Sequence, residues 1–299
     1  MNQVLDHEYA HHGLEDHDRG LVFDLNTMNR RRVLKLLGFG GVSVSLFTIV
    51  GCGPAGATGT PLASASATAT ASATATASAT AASGESCAVI PEETAGPFPG
   101  DGSNGPDVLS QDGVVRSDIR SSFGSSSAVA AGVPLAIELT IQDAGGDCAP
   151  LAGAAVYLWH CDRDGGYSLY SQSVVDENYL RGVQEADDSG LVTFQSIFPA
   201  CYPGRWPHIH FEVYPSLALA TDEANRIATS QIALPKDASD LVYATDGYSQ
   251  SIQSLSRLTL ESDNVFRDDG AVRQLGTVTG DVAGGLTVTA TIPVDPGTA

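Results

Sequence analysis

From Cys87 onward, apolar positions alternate with polar ones in short runs, the period of half-buried strands. Leu135, Ile137, Leu139 and Ile141 alternate with Ala136, Glu138 and Thr140. Runs 154–161, 191–198, 208–214 and 227–234 read as further strands. Segments 274–279 and 286–292 read as a hairpin joined through Gly280 to Gly285. A single short helix is predicted over 237–245, capped by Asp237 or Ser239. Short strands, Gly/Pro/Asp turns and long loops with little helix define an all-β domain, a β-sandwich of immunoglobulin-like type.

The run 208–214 carries the first candidate chemistry. Ile209, Phe211 and Val213 point to one side of the strand, and His208, His210, Glu212 and Tyr214 to the other. Two imidazoles two residues apart can therefore meet one metal ion from the same face. Tyr202 and Arg205 precede them in a Pro/Gly-rich loop, and Tyr167 follows a strand in a Gly-rich turn. The same pattern also fits an edge strand whose polar face is simply wet. Glu212 shares the imidazole face, but its spacing is shorter than the His-x-His-Glu arrangement of cupins uses.

Before Cys87 the core-forming pattern disappears. Residues 1–27 are polar, with His7, His11, His12 and His17 scattered among acids; this reads as a disordered extension, and Met28 is an alternative start. Arg30-Arg31-x-Val-Leu-Lys35 then leads into an apolar run over 36–50. That run is shorter than the roughly 20 residues of a spanning helix and fits an export-signal core. The arginine pair resembles a twin-arginine signal, and Ile49-Val-Gly-Cys52 resembles a lipobox, which makes Cys52 the lipidation candidate. Residues 53–86 are almost wholly Ala, Thr, Ser and Gly, side chains that cannot build a core, so they read as a tether. The expected organisation is signal over 1–52, tether over 53–86 and domain over 87–299. The protein is then exported, held at the cell envelope through its N-terminal anchor or secreted.

A net charge of −20 argues against nucleic acid, which calls for clustered Lys and Arg. With Cys52 set aside, Cys87, Cys148, Cys161 and Cys201 remain, and three connectivities are open. The favoured pairs are Cys87–Cys148 and Cys161–Cys201, with four buried free thiols as the alternative.

Three segments together resemble the intradiol ring-cleavage dioxygenases: Trp159-His-Cys-Asp-Arg-Asp-Gly-Gly-Tyr167, Pro203-Gly-Arg-Trp-Pro-His-Ile-His-Phe211 and Glu93-Thr-Ala-Gly-Pro-Phe98. The resemblance covers roughly 87–294 and is nearest to exported single-chain bacterial members. It implies a β-sandwich that binds Fe(3+) through Tyr167, Tyr202, His208 and His210. It also implies a catecholic substrate cleaved by O2 between its hydroxyl-bearing carbons to a muconate-type diacid. Arg205 matches the family's active-site Arg and Gln231 its Gln, while Tyr202 is the phenol that takes a substrate proton. Tyr170 and Tyr179 lie nearby, but the spacing from Trp159 selects Tyr167. His160 is expected in the core rather than on the metal, and Ala95 stands where relatives often carry Glu.

Phenolate oxygen is a hard donor suited to ferric iron, whereas two His and one carboxylate would suit iron(II). A homodimer is compatible with this reading. The competing readings are a non-catalytic exported binding module and a zinc or iron(II) enzyme that uses only the histidines.

Overall fold

The structure, a computed structural model, describes residues 87–298. The expected signal, Cys52 and the tether lie outside the described residues. Among the described residues nine strands form two sheets. The first contains β1 (Pro134–Asp143), β2 (Ala149–Pro150), β5 (Leu191–Ile197), β8 (Thr277–Asp281) and β9 (Gly285–Val294). In it β1 pairs antiparallel with β2 and β5 and parallel with β9, which closes the hairpin with β8. The second sheet is wholly antiparallel, in the order β4 (Arg181–Glu185), β3 (Ala155–Trp159), β6 (His208–Tyr214), β7 (Ala228–Ala233).

The core lies between the sheets. Leu135, Ile137, Leu139 and Ile141 of β1 meet Val156 and Leu158 of β3 and Ile209, Phe211 and Val213 of β6 there. A second apolar cluster covers the outer face of the four-stranded sheet. It joins Tyr157, Trp159 and Tyr214 to Val108, Leu109 and Val114 from the long loop that precedes β1. The four-stranded sheet is therefore buried on both faces.

Strand β4 is not predicted by the sequence pattern. Its residues Arg-Gly-Val-Gln-Glu offer one apolar side chain, and pairing with β3 decides the conformation instead. Gly182 is required there, because a Cβ would stand 2.5 Å from Ile119 Cγ2. The predicted helix appears as α1 (Lys236–Tyr243), with Pro235 as N-cap and no side-chain cap. Asp237 sits in its first turn, and Ser239 Oγ donates back to Pro235 O. A second helix, α2 (Ser249–Leu255), has too few apolar residues to announce itself.

Cys87 and Cys148 form a disulfide with Cα atoms 5.4 Å apart. The expected Cys161–Cys201 bond is absent: both thiols are free and buried. The Cys161 thiol is directed at Ala200 O and that of Cys201 at Arg205 O. Burial pushes the Cys201 thiol up to about 12, so the pair behaves as small hydrophobes rather than as reactive groups.

Candidate metal centre

Strand β6 is central, not an edge, and all seven of its residues are buried. That excludes the wet-face reading of 208–214. In the antiparallel register His210 stands opposite Trp159 on β3 and Gln231 on β7, so the three share the outer face. The Trp159 indole stacks on the His210 ring with centroids 4.9 Å apart and planes 6° apart, which fixes the imidazole. Tyr167 arrives from the turn after β3. Tyr202 arrives from the loop before β6, which is tightened by a bridge to Arg205 and by Gly204 at φ +89°.

Four donor atoms converge. Tyr167 Oη lies 3.1 Å from Tyr202 Oη, 3.2 Å from His208 Nε2 and 3.4 Å from His210 Nε2. Tyr202 Oη is 3.2 Å from His208 Nε2, and the two Nε2 atoms are 3.1 Å apart. His208 Nδ1 lies 2.5 Å from Trp206 O, a bond it can make only as a donor, which leaves the Nε2 lone pair of a neutral ring facing the cluster. Among the described residues His210 Nδ1 is buried without a partner.

These spacings suit a metal ion. A first-row ion bonds imidazole nitrogen and oxygen at about 2.0–2.2 Å, which sets adjacent donors roughly 3 Å apart. Among the described residues no group of three or more His, Cys, Asp and Glu could hold a metal, so any ion here draws on the phenols. Burial raises Tyr167 well above the ordinary phenol value and also raises Tyr202. It lowers both His208 and His210 well below the ordinary imidazole value. The protein alone thus presents four neutral donors, and a highly charged cation is what favours phenolate in such a place.

Arg205 is buried beside this cluster, with Nη1 3.4 Å from His208 Nε2. Its Nε donates to Asp263 Oδ2 at 3.2 Å, and its Nη2 donates to Gln231 Oε1 at 2.5 Å. Burial opposes the charge, but Asp263 and the phenols offset it, so the guanidinium is held above its ordinary value. Gln231 is held in turn, its Nε2 donating to Thr94 O at 2.8 Å.

Asp263 was invisible to the sequence reading. Besides Arg205 it accepts from the backbone N–H of Trp206, Val265 and Phe266. The available signal was the Asp-Asn-Val-Phe run, an Asx-type turn, which does not reveal a partner 58 residues away.

The other candidates lie apart from the donors. Tyr179 Oη donates to Asp162 Oδ2, and Tyr170 Oη donates to Asn104 Oδ1. His160 contacts Cys161 O through Nδ1 and Ser196 Oγ through Nε2, and burial lowers it to about 4. Glu212 accepts from Tyr214 Oη two residues further along β6.

The N-terminal strap 93–100 crosses the site, and a Cβ on Gly96 would stand 3.4 Å from His210 Cε1. A cleft of about 310 Å³ flanks it, lined by Glu92, Glu93, Thr94, Asn264, Val265, Arg267 and Asp268. Val108, Leu109 and Val114 of loop 101–118 and Ala220 of loop 216–225 are buried over the outer face of the four-stranded sheet.

Comparison with known proteins bears on the fold and on part of the sequence. Residues 120–238 match the family described as Dioxygenase. The fold is shared with an intradiol ring-cleavage dioxygenase from Tetranychus urticae at a TM-score of 0.56 and 24% identity, over 70% of this chain and 96% of that one. That likeness defines the fold of the described domain. Among curated relatives, a chlorocatechol 1,2-dioxygenase from Rhodococcus opacus is 35% identical over 63 residues, 21% of this chain and 24% of that protein. A catechol 1,2-dioxygenase from Pseudomonas sp. (strain EST1001) is 40% identical over 53 residues, 18% of this chain and 17% of that protein. The matched stretches span a quarter or less of those two relatives.

Proposed function

We propose that the protein is a non-haem iron(III) dioxygenase that cleaves catechol-type rings between the two hydroxyl-bearing carbons with O2, giving muconate-type diacids. The observation that carries this is the meeting of Tyr167, Tyr202, His208 and His210 through their oxygen and Nε2 atoms. The names of the curated relatives support the same substrate class. The chemistry a ferric ion supplies when bound is Lewis acidity, which favours ionised phenols and activates a catecholic ring toward O2.

The residues divide the work. Tyr167 is buried and packed by Phe98, so it serves as a fixed ligand. Tyr202 is half-buried in a Pro/Gly loop and is the more exposed of the two phenols. With a ferric ion bound, its Oη would be ionised and would serve as the base for a substrate hydroxyl. Arg205, fixed by Asp263 and Gln231, presents a cation where negative charge builds on the ring. A preorganised donor of this kind contributes about 3–4 kcal/mol. The strap at Gly96 screens His210 from water. A binding module has no use for a buried donor set of this kind, and among the described residues a histidine-only site has no third ligand other than phenol. On the strength of the Arg30-Arg31 and Cys52 sequences, the reaction takes place outside the cytoplasm.

The test is oxygen uptake by iron-loaded protein with catechol, hydroxyquinol and protocatechuate, combined with mass analysis of the product. The expected product is a ring-opened diacid that carries both atoms of one O2. No uptake with any member of the panel would contradict the proposal.

A further inference from the structure

Arg181 on β4 is almost completely buried, yet among the described residues it forms no ion pair. Burying a cation without a carboxylate is costly unless hydrogen bonds replace its water. All five of its hydrogen bonds go to neutral oxygens. Nε donates to Ser168 Oγ at 3.0 Å, and Nη2 to Phe98 O at 2.8 Å and Ser168 O at 3.0 Å. Nη1 donates to Pro99 O at 2.5 Å and to Tyr157 Oη at 3.0 Å.

These acceptors lie on separate pieces of the site. Ser168 follows Tyr167 directly, and Phe98 and Pro99 belong to the strap whose Gly96 touches His210. Tyr157 stacks on Trp159, which stacks on His210. The strap is shaped for the guanidinium as well. Gly100 has φ +69°, and a Cβ there would stand 2.8 Å from Arg181 Nη1.

We propose that Arg181 is the positioning residue of the centre, its planar fork tying the Tyr167 turn and the 93–100 strap to the strand beside His210. The placement of the segments stands on geometry alone; its meaning for a metal rests on the proposed function. Lys presents one point charge instead of a planar fork and cannot serve both segments at once.

The experiment is hydrogen exchange by mass spectrometry on metal-free full-length protein, comparing wild type, Arg181→Lys and Arg181→Gln. Peptides covering 94–102 and 165–172 report on the two segments. Their amides include Gly100 N–H, bonded to Tyr170 Oη, and Tyr167 N–H, bonded to Ser171 Oγ. Both substitutions are expected to speed exchange in these two segments about tenfold or more, the equivalent of one charge-assisted hydrogen bond, with β1 and β9 unchanged. In iron-loaded protein the visible phenolate band of Arg181→Lys is expected to shift, which a residue serving general stability alone would not cause. Unchanged exchange in both segments, or loosening spread evenly through both sheets, overturns the proposal. If the Arg181 variants do not fold, Tyr157→Phe removes two bonds, the one accepted from Arg181 Nη1 and the one donated to Pro99 O, without touching the charge. It is expected to loosen the strap peptide, and unchanged exchange there overturns the proposal equally. A wild type without a visible band when iron is supplied refutes the metal reading and leaves the exchange result to stand by itself.

Discussion

The two faces of β6 are equally dry and chemically opposite. Ile209, Phe211 and Val213 on the inner face are fully buried, and so, to within 3%, are His208, His210, Glu212 and Tyr214 on the outer face. On the inner face burial is itself the driving force. On the outer face each polar atom needs a partner, and among the described residues His210 Nδ1 has none. Burial alone therefore does not reveal what a strand is for. The informative face is the one where burial works against the residues.

This contrast can be broken by mutation, and the widest separation is expected between His210→Ala and Phe211→Ala. The histidine variant should lose bound iron and ring cleavage while its melting temperature stays within a few degrees. The phenylalanine variant should lose about 3–5 kcal/mol of stability, as core Phe truncations do, read by denaturant unfolding.

Next in size, Arg205→Gln removes the cation held by Asp263 and should lower kcat/KM about a hundredfold, close to the loss of one preorganised donor, without loss of iron. Steady-state kinetics and iron analysis together check it.

The smallest effect concerns the strap. Loss of water and the nearby Asp268 and Asp269 raise the half-buried Glu93 from 4.5 to about 7, against the pull of Gln274 and Arg205. A carboxyl that holds its proton more tightly when folded favours the fold below 4.5, and that contribution fades as pH rises through about 7. Thermal melts from pH 4.5 to 8 should show wild type falling more steeply than Glu93→Gln.

Much of this was legible in the chain. Period-two alternation located β1, β5, β6, β7 and the terminal hairpin, because those strands each have one apolar face. β4 was not legible, since Gly182 and Arg181 owe their places to tertiary neighbours. The resemblance to the intradiol family, through its Trp-to-Tyr spacing, separates Tyr167 from Tyr170 and Tyr179, and the structure brings Tyr167 alone of the three to the imidazoles. Asp263 and the cleft were hidden because they come from chain segments brought together only by folding. The thiols were misread for a related reason. An even cysteine count carries no distances, and each of the two has its own carbonyl acceptor.

The central claim is that two phenols and two imidazoles hold one ferric ion. Visible absorption of iron-loaded wild type, Tyr202→Phe, Tyr167→Phe and Tyr179→Phe, with metal content measured on the same samples, tests it most directly. Wild type should be red-brown from phenolate-to-iron charge transfer. Each of the first two variants should change the band, and Tyr179→Phe should leave it intact. A colourless wild type that retains stoichiometric iron, or a band that survives both Tyr167→Phe and Tyr202→Phe, would contradict the account.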